Sequence, residues 1–372
     1  MLILHWTILV AGNVFFMRDD TLMAQPFDAG KLQLRGDPVP VAEHVATTGA
    51  IGIFSVSPAG VLAYRTGASS AAGAFQTTWF DRQGKATDTF GQPGPDQGLA
   101  LSSDATRAAG RDAVQTSLGD IWLLDFARGV RTRLTFRQNF GSFPVWSPEG
   151  GRIVFASGNN LDTLYEKAAS GAGDEKELLN KPGEVKIPTS WSRDGRFLLY
   201  HTPNSPKTGS DLWVLPLEGE RKPALLLGTE FNELYGSFSP DVRWIAYVSS
   251  ETGRNEIYVR PFIASGPSGP SLGQGKWQVS KDGATRPKWR SDGKEIVFAG
   301  LNYQVMAADV DGSGAAFQMG APKQLFTVSP NSGWDVTADG TRFLMTVAPG
   351  QGQQNVQTPI TVVLNWQADL NH

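Results

Sequence analysis

Apolar and polar positions alternate along this chain in short bursts broken by turn residues. Residues 143–157, FPVWSPEGGRIVFAS, show the unit. Phe143, Val145 and Ser147 alternate with Pro144, Trp146 and Pro148, the two-residue period of a strand. Ser147 to Gly151 is a turn cluster, in which proline presets φ and glycine accepts a positive one. Ile153, Val154 and Phe155 then form the short β-branched and aromatic run of a strand buried on both faces. The same hairpin recurs at 53–64, 99–109, 187–200, 235–247, 286–298 and 334–345. Equivalent turn positions are Ala59, Asp104, Glu149, Asp194, Asp241, Asp292 and Asp339, spaced 45 to 51 residues apart. A third strand follows each hairpin, at 77–81, 120–125, 163–167, 211–217, 256–262, 303–309 and 360–366, and a weaker fourth usually closes the unit.

An earlier unit is compressed into the N-terminus, with strands expected at 6–11, 13–17, 21–27 and 38–42. That makes eight units. No stretch carries a sustained 3.6-residue apolar period, so almost no helix is expected. Four antiparallel strands at this period are the signature of a β-propeller blade: one sheet buries neither face alone, and stacking around an axis buries both. Trp146, Trp191, Phe238 and Trp289 recur just before the turn and are read as inter-blade core, each able to bury about 150–250 Å².

Composition removes several chemistries. Cysteine is absent, which excludes disulfides, thiol catalysis and Cys-based zinc sites. The four histidines, His5, His44, His201 and His372, are scattered, so no His-based metal site is expected, and no cofactor is implied. Charge is 33 positive against 36 negative without a basic stripe, which argues against nucleic acid. Residues 1–17 are apolar but interrupted by His5, Gly12 and Asn13; they are read as two strands and not as a signal or a membrane span, so no membrane insertion is expected. No G-x-S-x-G elbow and no DxDxDG calcium loop occurs. Asp194, Asp241, Asp292 and Asp339 repeat at one turn position, where carboxylates cap backbone N–H groups, so they are read as structural. The loop SGPSGPSLGQG at 265–275 reads as an insertion at an outer strand.

The turns Trp146-Ser147-Pro148-Glu149-Gly150, Trp191-Ser192-Arg193-Asp194-Gly195, Phe238-Ser239-Pro240-Asp241 and Trp289-Arg290-Ser291-Asp292-Gly293 resemble the W-S-P-D-G hallmark of TolB-like propeller repeats; Val242 stands where the third would have glycine. Longer runs, TLMAQPFDAGKLQLRGDPVPVAE at 21–43, DLWVLPLEGERKP at 211–223, FNELYGSFSP at 231–240, EIYVRPF at 256–262 and PITVVLNWQADL at 359–370, are similar to the C-terminal sensor region of membrane-anchored serine/threonine kinases of the acidobacterial type. That resemblance implies an extracytoplasmic propeller. It does not carry the kinase activity, because no glycine-rich phosphate loop, VAIK-like lysine or HRD loop is present, and Asp125-Phe126-Ala127 reads as the end of a strand.

Two closures are open: a six-bladed TolB-like propeller over 93–372 preceded by two blade repeats over 1–92, or a single eight-bladed ring. The first is preferred, with the break GQPGP at 91–95 as the boundary and a strand near 85–91 latching the last blade. The expected function is a non-catalytic propeller binding a protein, a peptide or a small polar ligand at its axial funnel, a sensor or scaffold module. The funnel candidates are Asn139, Lys186, Asn232, Glu233, Tyr235, Arg286, Lys288, Trp334 and Asp335, with no catalytic residue among them. The alternatives are a propeller hydrolase or lyase using funnel carboxylates, and a non-functional remnant of a kinase gene.

Overall fold

The computed structural model describes residues 8–18, 21–48, 51–65, 75–94, 96–112, 119–136, 141–158, 160–205, 207–266, 268–314, 316–327, 333–347 and 360–366. Among these the only helical element is a 3₁₀ turn at Leu301–Tyr303, and no helix is long and apolar enough to cross a membrane. The chain divides into two compact units, Phe75–Val347 and the combination of residues 1–74 with 348–372.

The larger unit is six antiparallel sheets. Blade 1 runs Asp96–Leu101, Arg107–Asp112, Ile121–Asp125 and Val130–Arg133. Blade 2 runs Ser142–Trp146, Arg152–Ser157, Thr163–Ala168 and Lys176–Asn180, and blade 3 Ile187–Trp191, Phe197–Ser205, Gly209–Pro216 and Ala224–Leu227. Blade 4 has Glu233–Phe238, Trp244–Ser249 and Glu256–Ile263, with Ser271–Leu272 and Trp277–Gln278 sharing the outermost place. Blade 5 has Ala284–Trp289, Glu295–Gly300 and Gln304–Asp311, flanked by Gln318–Met319 and Lys323–Thr327. Blade 6 joins Trp334–Val336 and Arg342–Val347 from the late chain to Phe75–Asp81 and Ala86–Gly94 from the early chain.

Six apolar clusters fill the six gaps between these blades. Between blades 2 and 3, for example, Val154, Ala156 and Leu164 meet Trp191, Leu198 and Tyr200. Blades 5 and 6 meet through Val297, Val305 and Phe326 against Phe80, Phe343 and Met345. Trp79 and Leu344 of blade 6 meet Leu99, Ala108 and Leu124 of blade 1, which closes the ring. Burying one such tryptophan is worth about 4–6 kcal/mol gross, an upper bound given a compact denatured state. The six-bladed ring is thus the observed closure, and not an eight-bladed one.

The latch differs from expectation in its parts. The strand 360–366 was expected as the third of the last blade; Ile360–Leu364 instead pairs with Val61–Arg65 in the other unit. Phe75–Asp81 takes that place, so the division falls at Phe75 and Val347 and not at 93. The reason is burial. A blade strand in the ring is covered on both faces, and TTWFD supplies Trp79 to one gap and Phe80 to the other. Ile360, Val362 and Leu364 alternate with less exposed neighbours, which suits a sheet covered on one side. Arg82 ties the latch to blade 5, pairing with Glu295 and donating to the Gly340 carbonyl at 2.7 Å.

In the smaller unit, Ile8–Val10, Asn13–Arg18, Thr21–Asp28 and Val39–Ala42 form one sheet, and Phe54–Val56, Val61–Arg65 and Ile360–Leu364 a second. Phe15, Leu22, Ala24, Leu62 and Trp366 build its core, with Phe15 edge-on to Trp366 at 4.9 Å.

The repeated turns explain the repeated serine and aspartate. The Ser192 hydroxyl donates to Asp194 Oδ1 at 2.6 Å and accepts the Phe197 N–H at 2.9 Å, while Asp194 Oδ1 accepts the Arg196 N–H. Ser102 with Asp104, Ser239 with Asp241 and Thr337 with Asp339 repeat the pattern. The Ser102 hydroxyl beside Asp104 holds that carboxyl below its ordinary range. Gly150, Gly195, Gly293 and Gly340 take φ between 71° and 78° at the turn, and Val242, in the same place, is forced to φ 60°.

Candidate functional site

Strand register makes the six blades directly comparable. Ala100, Val145, Ser190, Ser237, Lys288 and Asp335 pair respectively with Ala109, Val154, Leu199, Ala246, Val297 and Leu344 on the second strands. These six inner positions line one cavity of about 500 Å³. The turn residues Ser103, Pro148, Arg193, Pro240, Ser291 and Ala338, each two places before the turn glycine or its substitute, form a rim around the same cavity. Between inner ring and rim, Leu101, Trp146, Trp191, Phe238 and Trp289 present edges to it. The cavity is therefore the turn-side mouth of the axial channel.

The frame around it is held by backbone-directed bonds from blade to blade. Trp146 Nε1 donates to the Ala100 carbonyl and Trp289 Nε1 to the Ser237 carbonyl. Ser190 Oγ accepts the Phe238 N–H. At the rim, Ser103 Oγ donates to the Pro148 carbonyl and the Ser291 N–H to the Ala338 carbonyl. Two inner-ring residues carry charge. Asp335 Oδ2 accepts the Leu101 N–H and Oδ1 the Val336 N–H, both at 2.9 Å. Lys288 Nζ lies 3.2 Å from Asp335 Oδ1; its side chain is 39% exposed and that of Asp335 9%, so the ammonium is the reachable member of the pair.

The other sequence candidates lie elsewhere. Trp334 is buried in the gap between blades 5 and 6. Lys186 is wholly buried; its ammonium donates to the carbonyls of Asp162, Glu184 and Lys181 at 2.7, 2.8 and 3.2 Å, and burial lowers its pKa. It is a fastener for a loop, with no face to a ligand. Glu233 is also buried, accepting from the Thr229 N–H and hydroxyl; burial raises its pKa. Asn232 is exposed, and its N–H donates to Ser250 Oγ. Asn139 lies outside the described residues.

Tyr235 and Arg286 form a separate feature. The innermost strands of blades 1 to 5 carry a bulge before the inner ring. Its first residue takes a positive φ in four of them: Gly98 at 60°, Phe143 at 56°, Tyr235 at 52° and Arg286 at 55°. Glycine bears this freely, and the three larger residues cost of order 1–3 kcal/mol each. Arg286 sits 5.8 Å from the Tyr235 ring, and His201 packs edge-on to Tyr235 at 5.2 Å. The His201 ring is 2% exposed, its Nδ1 has no hydrogen-bond partner, and burial pushes its pKa down to about 4.

No family model and no curated protein matches the sequence. Solved structures do match the fold. A TolB of Agrobacterium tumefaciens superposes with a TM-score of 0.55 at 17% identity, covering 74% of this chain and 98% of that one. The chain carries a six-bladed β-propeller of the TolB-like fold. A chain of Kuenenia stuttgartiensis hydrazine synthase matches this propeller protein at 0.52 and 12% identity, covering 84% and 94% of the two chains. TolB from Acinetobacter baumannii matches at 0.46 and 16%, covering 93% and 79%. At these identities the propeller architecture is what is shared.

Sequence reading reached Lys288 and Asp335 but missed the rim. Arg193 was visible as the arginine in W-S-R-D-G; what was missing was the register showing that this turn position faces the axis. Ser190 and Ser237 were hidden for the same reason.

Proposed function

We propose that this propeller is a non-catalytic binding module that takes a peptide or another small polar ligand in the turn-side mouth of its channel, as a sensor or scaffold. The observation that carries this reading is a preformed cavity of about 500 Å³ whose walls share one backbone frame and differ in side chains, the usual arrangement for a recognition site on a rigid scaffold. The carboxylate that could act as a base, Asp335, is occupied by two backbone amides and the Lys288 ammonium. Two of the serines around it, Ser103 and Ser190, use their hydroxyls in the frame. What is left for a ligand is the Lys288 head, the rim side chains such as Arg193 and the aromatic edges, a surface for contact more than for proton transfer. The resemblance of residues 211–223 and 231–240 to kinase-linked sensor regions supports the same reading.

Calorimetry against panels of short peptides and oligosaccharides tests it, with Lys288→Ser and Asp335→Ala as variants. Binding in the micromolar to millimolar range, weakened by Lys288→Ser and retained in Asp335→Ala, is the expected result. Turnover of an ester, peptide or glycoside substrate that disappears in Asp335→Asn would instead make the protein an enzyme.

A further inference from the structure

In a repeat fold, equivalent positions meet equivalent structural demands, so departures at one position are free of those demands. At the channel rim the six equivalent residues are Ser103, Pro148, Arg193, Pro240, Ser291 and Ala338, and the charged one is Arg193. Arg193 is exposed and makes one hydrogen bond among the described residues, from Nη1 to the Ser291 carbonyl at 3.2 Å, with no carboxylate partner among them. Several neighbouring turn arginines have carboxylate partners, Arg152 with Glu149 and Glu166, Arg196 with Asp194 and Arg290 with Asp292, while Arg107 donates to the Gly150 carbonyl and Arg342 lies over the Trp79 ring. One ring further in, Lys288 stands where blades 3 and 4 place Ser190 and Ser237.

The acids facing this cavity are already satisfied. Asp335 has two amides and Lys288, and Asp104 has the Ser102 hydroxyl and the Thr106 N–H. Lys288 is paired with Asp335, whereas the Arg193 guanidinium has no carboxylate within ion-pair distance among the described residues and keeps most of its donors unused. A guanidinium fork matches the paired oxygens of a carboxylate or phosphate. We infer that the channel ligand bears an oxyanion, carboxylate or phosphate, and that Arg193 binds it at the rim with Lys288 as the second cationic contact. This rests on the binding reading above and adds the charge of the ligand.

The test compares N-acetyl-trialanine as free acid, the same peptide as C-terminal amide, and inorganic phosphate, by calorimetry on the full chain at low salt. Arg193→Pro is the main variant, because Pro148 and Pro240 already occupy this turn position and no hydrogen bond of the Arg193 N–H would be lost. Lys288→Ser copies blades 3 and 4. The acid should bind about ten-fold or more tighter than the amide, and Arg193→Pro should erase that preference while thermal stability stays unchanged. Phosphate binding comparable to the acid would assign the site to phosphate-bearing ligands as well; phosphate failing while the acid binds would restrict it to carboxylates. Equal binding of acid and amide, or a preference that survives both variants, overturns this inference while leaving the channel a binding site. Failure of all three probes up to about 10 mM, where one charge-assisted contact would register, overturns both readings.

Discussion

His201 should make this propeller acid-sensitive in a way that one substitution removes. Its imidazole is buried beside Tyr235, with an unpartnered Nδ1 and a pKa lowered by burial from 6.5 to about 4. A lowered folded-state pKa means that the unfolded chain binds a proton that the fold refuses. Between pH 6.5 and 4 the unfolded state therefore holds more protons, and stability falls as pH falls through that window. At about 1.4 kcal/mol per pH unit, the difference between 6.5 and about 4 amounts to about 3 kcal/mol lost by pH 4. The unpartnered nitrogen adds a pH-independent cost of about 1–3 kcal/mol that an apolar replacement of similar size avoids. His201→Leu should accordingly be as stable as the parent at pH 7, or more so, and more stable by about 3 kcal/mol or more at pH 4. Urea unfolding at intervals of half a pH unit gives both curves, read by tryptophan fluorescence. Protonation of the carboxylates acts on both proteins alike, so the gap between the curves isolates the histidine. A gap that stays constant from pH 7 to pH 4 would show that His201 is protonated in the fold without penalty.

Two further outcomes follow from the same packing. Deleting residues 75–94 removes both outer strands of blade 6, bares the edge of Arg342–Val347 and takes Trp79 and Phe80 from two gaps; the chain should lose its cooperative unfolding transition in calorimetry, since a ring without its latch has two open ends. Lys186→Met leaves three carbonyls without their shared charged donor; urea unfolding should show a loss of about 3–5 kcal/mol, and a change below about 1 kcal/mol would show that water replaces the ammonium.

The blades were legible because their signal is repeated. A bulky apolar residue with an acid three places on, at near-constant spacing, recurs in all six blades because the same turn and the same inter-blade gap demand it. The latch was legible only in part. Both 77–81 and 360–366 read as good strands, and choosing between them needs to know that the ring covers both faces of TTWFD while Ile360–Leu364 presents one. The channel residues were harder still, because exposure to an axis is a property of register. The inner-strand bulge shifts that register by one residue in five blades, so Lys186 and Glu233, polar residues just before or at the inner strands, look axial by spacing and are buried in fact.

The same bulge separates the two roles that polar residues play here. Side chains before it, such as Glu233 and Lys186, fall where the chain enters a blade and are consumed by the backbone of the connecting loop. Side chains after it, such as Ser190, Ser237, Lys288 and Asp335, fall on the channel wall. Loop backbones in all blades need their donors and acceptors satisfied, so polar residues before the bulge are fixed by folding. The wall positions need only small size or a partner across the ring, and they range from Ala100 to Lys288 without disturbing strand pairing. Chemical variety at positions where strand pairing does not dictate the side chain is what a recognition surface requires, and in this ring it lies on the axis.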